Sequence, residues 1–252
     1  MYPTLFKIGN TSVSTFTVIF VIAYLVAYKI ALPEFKRKGI SEHLCDLFFT
    51  STVIGGIGGA KILFLFQNAT FTEFISDPIK YLSSGITFYG GLIGSILLYI
   101  SVARWKKVSF WFITDASAPG LVAAYAIGRI GCFLAGDDYG IPSNVPWAVS
   151  FPNGSPPTLD KVHPTQLYDT LLMLILFIFI WKIRKNPLPV GALFASTLII
   201  LGVERFFIEF IRNTTPSFIP GISQAQIISV VVIIVGISKL LQLRFQNLKS
   251  PP

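Results

Sequence analysis

The decisive stretch is Gly128-Arg-Ile-Gly-Cys-Phe-Leu-Ala-Gly-Asp-Asp-Tyr-Gly140, preceded by the almost uncharged run from Ala116 to Ile127. Such a run carries Arg129 to bilayer depth, where an isolated guanidinium costs ~3 kcal/mol on insertion scales and more in simulations. Arg129 therefore needs a partner, and Asp137 and Asp138 follow within about two helical turns. The four glycines let a backbone approach a ligand or a neighbouring helix closely. An ionisable residue at this depth marks a functional site by default; the plainer reading is an arginine paired inside a packed bundle.

Composition agrees with a membrane setting. Of 252 residues, 53% are hydrophobic and 13% charged, against roughly 25% charged in an average soluble domain. The net charge of +8 falls in short Lys/Arg clusters between apolar runs, so orientation in an anionic bilayer explains it and nucleic acid is not implied. The first ten residues lack a basic segment and a small-residue cleavage site, so the first apolar run reads as a retained span.

Spans are expected at about 12–32, 46–67, 86–103, 110–134, 165–183, 190–210 and 223–242, each near the ~20 residues that cross the hydrocarbon. Residues 1–252 thus read as a single, all-α, polytopic membrane domain of about seven helices. Basic clusters follow alternate spans: Lys36, Arg37 and Lys38; Arg104, Lys106 and Lys107; Lys182, Arg184 and Lys185; Lys239, Arg244 and Lys249. The positive-inside rule then sets the N-terminus outside and the C-terminus in the cytoplasm. The glycine-rich second span and the charged sixth span are the two that a break or re-entrant turn would suit. The connection at about 135–164 holds six prolines with Tyr139, Trp147 and Phe151, and reads as a Pro-rich lid lying on the membrane interface.

Four further constellations carry candidate chemistry. Tyr89-Gly-Gly-Leu-Ile-Gly94 spaces Gly90 and Gly94 for close helix contact, and Tyr89 suits either a ligand hydrogen bond or an interfacial aromatic belt. Arg205, Glu209 and Arg212 share one helical face, which is an internal ladder or a phosphate cradle, since arginine presents a planar fork of donors. His163-Pro-Thr-Gln-Leu-Tyr-Asp169 opens the fifth span, with Pro164 in the first turn, Asp169 near the positive dipole end, and His163 beside Gln166 and Tyr168 on the face expected to meet Arg129. Lys61 and Asp115 read as snorkelling or pairing residues. Two histidines, two cysteines (Cys45 and Cys132) and no HExxH or CxxC leave too few ligands for a metal. P-loop and dinucleotide fingerprints are also missing, so no cofactor is expected.

Taken in order and spacing, Gly59-Ala-Lys, Tyr89-Gly-Gly-Leu-Ile-Gly, Gly-Arg-Ile-Gly-x-Phe-Leu-x-Gly-Asp-x-Tyr-Gly, His163-Pro-Thr-Gln-Leu-Tyr and Arg205-Phe-Phe-Ile-Glu-Phe-Ile-Arg212 resemble the prolipoprotein diacylglyceryl transferase family. The resemblance implies a seven-helix enzyme of the bacterial inner membrane. It implies transfer of the diacylglyceryl group of phosphatidylglycerol to the thiol of a lipobox cysteine in the prolipoprotein signal peptide, giving a thioether and glycerol phosphate. Arg129 and Arg205 would then stabilise charge growing on the leaving phosphate. Asp137, Glu209 or His163 would orient ligands or take the thiol proton. Gly90, Gly91 and Gly94 would line a lateral entry for lipid, while Gly140, Gln166, Tyr168 and Cys132 would complete the substrate site.

The chain departs from the family's pattern at five positions, one of them Lys61, where an arginine commonly follows Gly-Ala. Tyr89 stands where a histidine usually opens the His-Gly-Gly motif, and Cys132, Ala135 and Asp137 replace two asparagines and a glutamate. A phenol, which ordinarily titrates near pH 10, donates a hydrogen bond but is a poor base at pH 7. Two alternatives follow: a paralogue with the same lipid site but another acceptor or lipid, and a lipid-binding or transport protein without transferase chemistry.

Overall fold

The computed structural model describes residues 2–9, 11–83, 85, 87–212, 217 and 219–249. Its long helices are α1 (Thr15–Arg37), α2 (Glu42–Asn68), α5 (Phe88–Trp105), α6 (Phe110–Ala135), α7 (Thr165–Ile183), α8 (Ala192–Ile208) and α9 (Gln224–Lys249). Two short helices not expected from the sequence, α3 (Phe71–Ser76) and α4 (Pro78–Ser83), lie between α2 and α5. Six of the long helices are long and apolar enough to cross a bilayer. The other, α8, has 17 residues and passes at Ile208 into a 3₁₀ turn, Glu209–Ile211. The sixth expected span is therefore interrupted at its charged end, whereas the glycine-rich α2 runs unbroken.

The all-α expectation needs one amendment. Two antiparallel hairpins are present, β1 (Thr4–Ile8) with β2 (Thr11–Ser14) and β3 (Val149–Phe151) with β4 (Thr158–Val162). Their strands are short runs of β-branched and aromatic residues. In the second hairpin Pro152, Pro156 and Pro157 fall between the strands, where their missing N–H groups cost no ladder bonds. The Pro-rich lid is thus partly ordered as a sheet.

The chain divides into two compact units, residues 32–113 and residues 1–31 with 114–252. In the first, α2 and α5 meet backbone to backbone. A Cβ added at Gly55 or Gly59 would strike the carbonyl oxygen of Gly94 or Gly90, and Cβ atoms at Gly90 and Gly94 would strike those of Gly59 and Gly55. Close approach of this kind is what small residues at four-residue spacing permit between helices in lipid. Gly90, Gly91 and Gly94 are thereby packed on α2. Lys61 donates to the carbonyls of Tyr81 and Gly85, at 3.3 and 2.9 Å, so its amine caps the end of α4. Tyr89 is about one-third exposed and sits edge-on to Phe88.

In the larger unit α6, α7 and α8 share a core of Val122, Ala126, Met173, Leu176, Ile180 and Leu193. Asp115 of α6 accepts from the N–H groups of Gly191 and Phe194, at 2.7 and 2.8 Å. A buried carboxylate thus caps α8, where it also meets the positive end of the helix dipole. α9 closes on α8 at two glycines, Gly202 against Ser229 and Ile233, and Gly236 against Ala195 and Ile199. These contacts fix the helices that carry the charged side chains.

Candidate active site

α6 ends in a turn that the sequence specifies. Gly136 takes φ +75° and its N–H returns to the Cys132 carbonyl, a left-handed glycine stop. The chain then passes through Asp138, itself at φ +62°, a conformation few non-glycine residues adopt. Side chains of α7 hold it there: Thr165 donates to the Asp138 carbonyl at 2.9 Å and Gln166 to the Asp137 carbonyl at 2.6 Å.

Two residues on, Gly140 is the junction of three separate stretches. Its N–H donates to the His163 carbonyl at 2.9 Å, the Ile141 N–H donates to the Ile211 carbonyl at 3.0 Å, and Gly140 bridges Arg212. A Cβ at Gly140 would strike the Ile211 carbonyl, His163 and Thr165, so no larger residue fits. Three motifs of the sequence meet here through main-chain bonds.

The junction brings the buried arginines to the acidic turn. Arg129, only 7% exposed, places Nε 2.6 Å from Asp169 Oδ2 and Nη1 2.9 Å from Asp138 Oδ2. The same Nη1 lies 3.5 Å from Cys132 Sγ, while Nη2 has no hydrogen-bond partner and Nε, though close to Asp169, makes no hydrogen bond of good geometry. Arg212 Nη2 takes the other oxygen of Asp138 at 2.6 Å. Glu209 follows, 4.0 Å from Arg212 Nε and 3.0 Å from Arg205 Nη2. Glu204 is also buried, and neither of its oxygens has a hydrogen-bond partner.

The two aspartates of the turn are driven apart. Burial pushes the Asp137 carboxyl above the usual carboxylate range, against a bond from the Cys132 thiol, and the neighbouring Asp138 charge adds to the rise. Asp138 is partly desolvated too, but Arg212 and then Arg129 outweigh that and hold it below the usual range. One carboxyl is thus a fixed counter-ion and the other is poised nearer neutrality, the separation expected of a stabiliser and a base. Cys132, Asp137 and Asp138 bring ligand-type atoms within 4.8 Å of one another. Arg129 engages two of them, Asp138 and Cys132, through Nη1.

Sequence-expected residues sort into three groups. Arg129, Cys132, Asp137, Gly140, Gln166, Arg205 and Glu209 converge as one network. His163 and Tyr168 form a second group: the Trp147 indole N–H donates to the Tyr168 oxygen at 2.6 Å, and that hydroxyl lies 3.1 Å from His163 Nδ1. Gln166 turns inward while Tyr168 turns to the lid, so the two do not share a face as expected. Tyr89 with Gly90, Gly91 and Gly94 belongs to the other unit. The expected Arg–Glu–Arg ladder is redirected, because the helix ends at Ile208 and Arg212 pairs chiefly with Asp138.

From sequence Asp138 is a candidate partner of Arg129 and Arg212 a member of the Arg205 face, but their mutual clamp is not read, nor are Asp169 as the partner of Arg129 or the buried Glu204. Signals for two of them existed. Asp169 lies three residues after Gln166, on one α-helical face, and Glu204 is a carboxyl in an apolar helix that has to be neutralised or paired.

Fold and site together define a polytopic helical membrane protein with a guanidinium–carboxylate network in its largest unit. The chain belongs to the prolipoprotein diacylglyceryl transferase family, whose model matches residues 3–242. A relative from Geobacter sulfurreducens is 30% identical over 218 residues, 84% of this chain and 82% of that protein. One from Clostridium tetani is 32% identical over 246 residues, 94% of this chain and 96% of that protein. One from Vibrio cholerae is 34% identical over 246 residues, 93% and 89% respectively. All three are named phosphatidylglycerol–prolipoprotein diacylglyceryl transferase.

Proposed function

We propose that this chain transfers the diacylglyceryl group of phosphatidylglycerol to the thiol of a lipobox cysteine in prolipoproteins. Family membership and the names of its relatives support this. The observation that carries the site is the buried Arg129 guanidinium, whose Nη1 bonds Asp138 while Nη2 has no hydrogen-bond partner and Nε is held only by ion-pair proximity to Asp169. A phosphate oxygen supplies the missing acceptor, in a place where a charge-assisted bond is strong.

In the reaction the acceptor sulfur forms a bond to the terminal glyceryl carbon of the lipid. The carbon–oxygen bond to phosphate breaks, and glycerol phosphate leaves with that electron pair. Negative charge grows on the leaving phosphate, where Arg129, and Arg205 with its one-quarter-exposed side chain, stabilise it without reorganisation. The thiol proton passes to Asp137, whose carboxyl burial makes more basic than its neighbour. Asp138 stays ionised and holds Arg129 and Arg212 in place. Gln166 fixes the turn through the Asp137 carbonyl. His163 and Tyr168 secure the lid over residues 135–164, which lies on the membrane interface.

The setting is the bacterial inner membrane, with one integral domain of about seven spans, the N-terminus outside and the C-terminus cytoplasmic. α8 serves as the seventh span: 17 residues rise ~25 Å, at the short end of what crosses a bilayer. Complementation tests the activity. The chain is expressed in a bacterium depleted of its own diacylglyceryl transferase, and growth is followed with the gel shift of a test prolipoprotein. Rescue is expected, and its loss in Arg129→Ala. Stable, membrane-inserted protein that gives neither growth nor shift overturns the proposal.

A further inference from the structure

Trp147 and His163 stand at the foot of the second hairpin, one just before β3 and the other just after β4. Val149 pairs with Val162, so the two residues flank the same end of the ladder. Tyr168, in the first turn of α7, joins them. The Trp147 indole nitrogen lies 2.6 Å from the Tyr168 oxygen, and that oxygen lies 3.1 Å from His163 Nδ1. Donor chemistry gives this chain a direction. An indole N–H can only donate, so Tyr168 accepts from Trp147. A phenol has one hydrogen to give, and among the described residues the other partner of that oxygen is His163 Nδ1. Donation onward to Nδ1 makes each bond polarise the next, the stronger arrangement. Nδ1 has to be bare to accept it, and a neutral imidazole then carries its proton on Nε2.

We infer that Trp147, Tyr168 and His163 form a one-way hydrogen-bond chain that latches the lid hairpin to α7 and fixes His163 as its Nε2–H tautomer. A general base needs a free lone pair. The one that His163 has is on Nδ1, and Tyr168 occupies it. His163 is then a positioning residue and not the acceptor of the thiol proton. Its carbonyl also receives the Gly140 N–H, so the same residue ties the lid to α7 by its ring and to the acidic turn by its main chain. The inference rests on the proposed transferase reading for its kinetic readout alone.

Substitutions at His163 separate a latch from a base. His163→Asn sets an amide oxygen near the place of Nδ1, so it keeps an acceptor for Tyr168 but takes up no proton at neutral pH. It should keep near-wild-type kcat and KM. His163→Ala and Tyr168→Phe break the chain and should raise KM about tenfold, the worth of one lost hydrogen bond, with kcat little changed because the reacting atoms are untouched. Lys161 of β4 is exposed and is the one lysine or arginine between residues 135 and 164, so tryptic cleavage there reports a hairpin that has come away from α7. His163→Ala and Tyr168→Phe should be cut about tenfold faster than wild type by the same reasoning, and His163→Asn at the wild-type rate.

Nitrogen-15 NMR of the purified protein reads the tautomer without turnover. The chain has two histidines, so histidine labelling in a His43→Gln background leaves a single imidazole, recorded at about pH 9, above the ordinary histidine range. The Nε2–H tautomer alone is expected, giving way to a mixture when Tyr168→Phe is added. An Nδ1–H ring, or a spectrum that Tyr168→Phe leaves unchanged, overturns the inference. So does a His163→Asn enzyme that loses kcat, or one cut at Lys161 as fast as His163→Ala. If the tautomer and the cleavage pattern are as expected but no variant and no wild type gives transfer, the transferase reading fails and the latch stands.

Discussion

Arg212 clamps Asp138: Nη2 of the first lies 2.6 Å from Oδ1 of the second, while Arg129 holds the other oxygen at 2.9 Å. A single carboxylate thereby joins the end of α6 to the segment beyond α8. Asp138→Asn removes the charge on both sides and should cut transfer activity about tenfold or more. Arg212→Lys should fail to restore wild-type activity, because an ammonium lacks the planar fork that reaches a carboxylate edge. Product formation in membranes from each variant decides it; a fully active Asp138→Asn would show that the clamp does not position Arg129.

Stability should follow pH through the same aspartate. Its folded pKa is depressed, so its contribution is present above the ordinary carboxylate range and is lost as pH falls through the folded value. Asp138→Asn should therefore be less stable than wild type at neutral pH, with the gap closing on acidification. Thermal unfolding in detergent across that range is the measurement, and a gap that widens towards acid would contradict the assignment.

Asp137 has the opposite displacement. Because burial raises its pKa, the acid limb of kcat/KM should lie above the ordinary carboxylate value of roughly 3.9. Asp137→Asn should abolish turnover while leaving the protein folded, and Asp137→Glu should retain a shifted limb. An active Asp137→Asn would move the base elsewhere, with Glu209 next in line.

The α2–α5 seam should tolerate no added volume. Gly59→Val or Gly94→Val sets a side chain against a backbone carbonyl, which has to move, at about 1–3 kcal/mol. Lower thermal stability and lower yield are expected from either. Gly58, which has open space around the same probe position, provides the matched control: Gly58→Ala should leave stability nearly unchanged.

Capping of α8 depends on Asp115. Asp115→Ala frees two N–H groups and should cost about 0.5–2 kcal/mol, seen as a lower melting temperature. Since α8 carries Arg205, activity should decline with it, and Asp115→Asn should recover part of both.

What the sequence made legible was whatever depends on local pattern. Apolar runs of about the right length located the seven long helices, though α1 and α9 run on past the expected ends at 32 and 242 to Arg37 and Lys249, and the depth of Arg129 announced that acids had to meet it. The misses are non-local or too short to carry a pattern. The three-residue β3 offers no alternation to read, and the 3₁₀ turn at Glu209 looks helical in sequence because Arg205, Glu209 and Arg212 keep helical spacing. Asp169 pairs with Arg129 across α6 and α7, and Asp138 pairs with Arg212 across most of the site; neither spacing repeats along the chain. Gly90 and Gly94 were legible as contact residues, but only the partner helix shows that they seal a seam.

The Gly140 junction bears on how the site has varied. Its three segments are tied by N–H to carbonyl bonds, which every residue but proline supplies. The path of the acidic turn is therefore indifferent to what side chains stand at Cys132 and Ala135, provided they are small. Drift at those two positions alters the lining of the site while the route of the chain stays put, whereas a change at Gly140 itself would unseat all three segments at once.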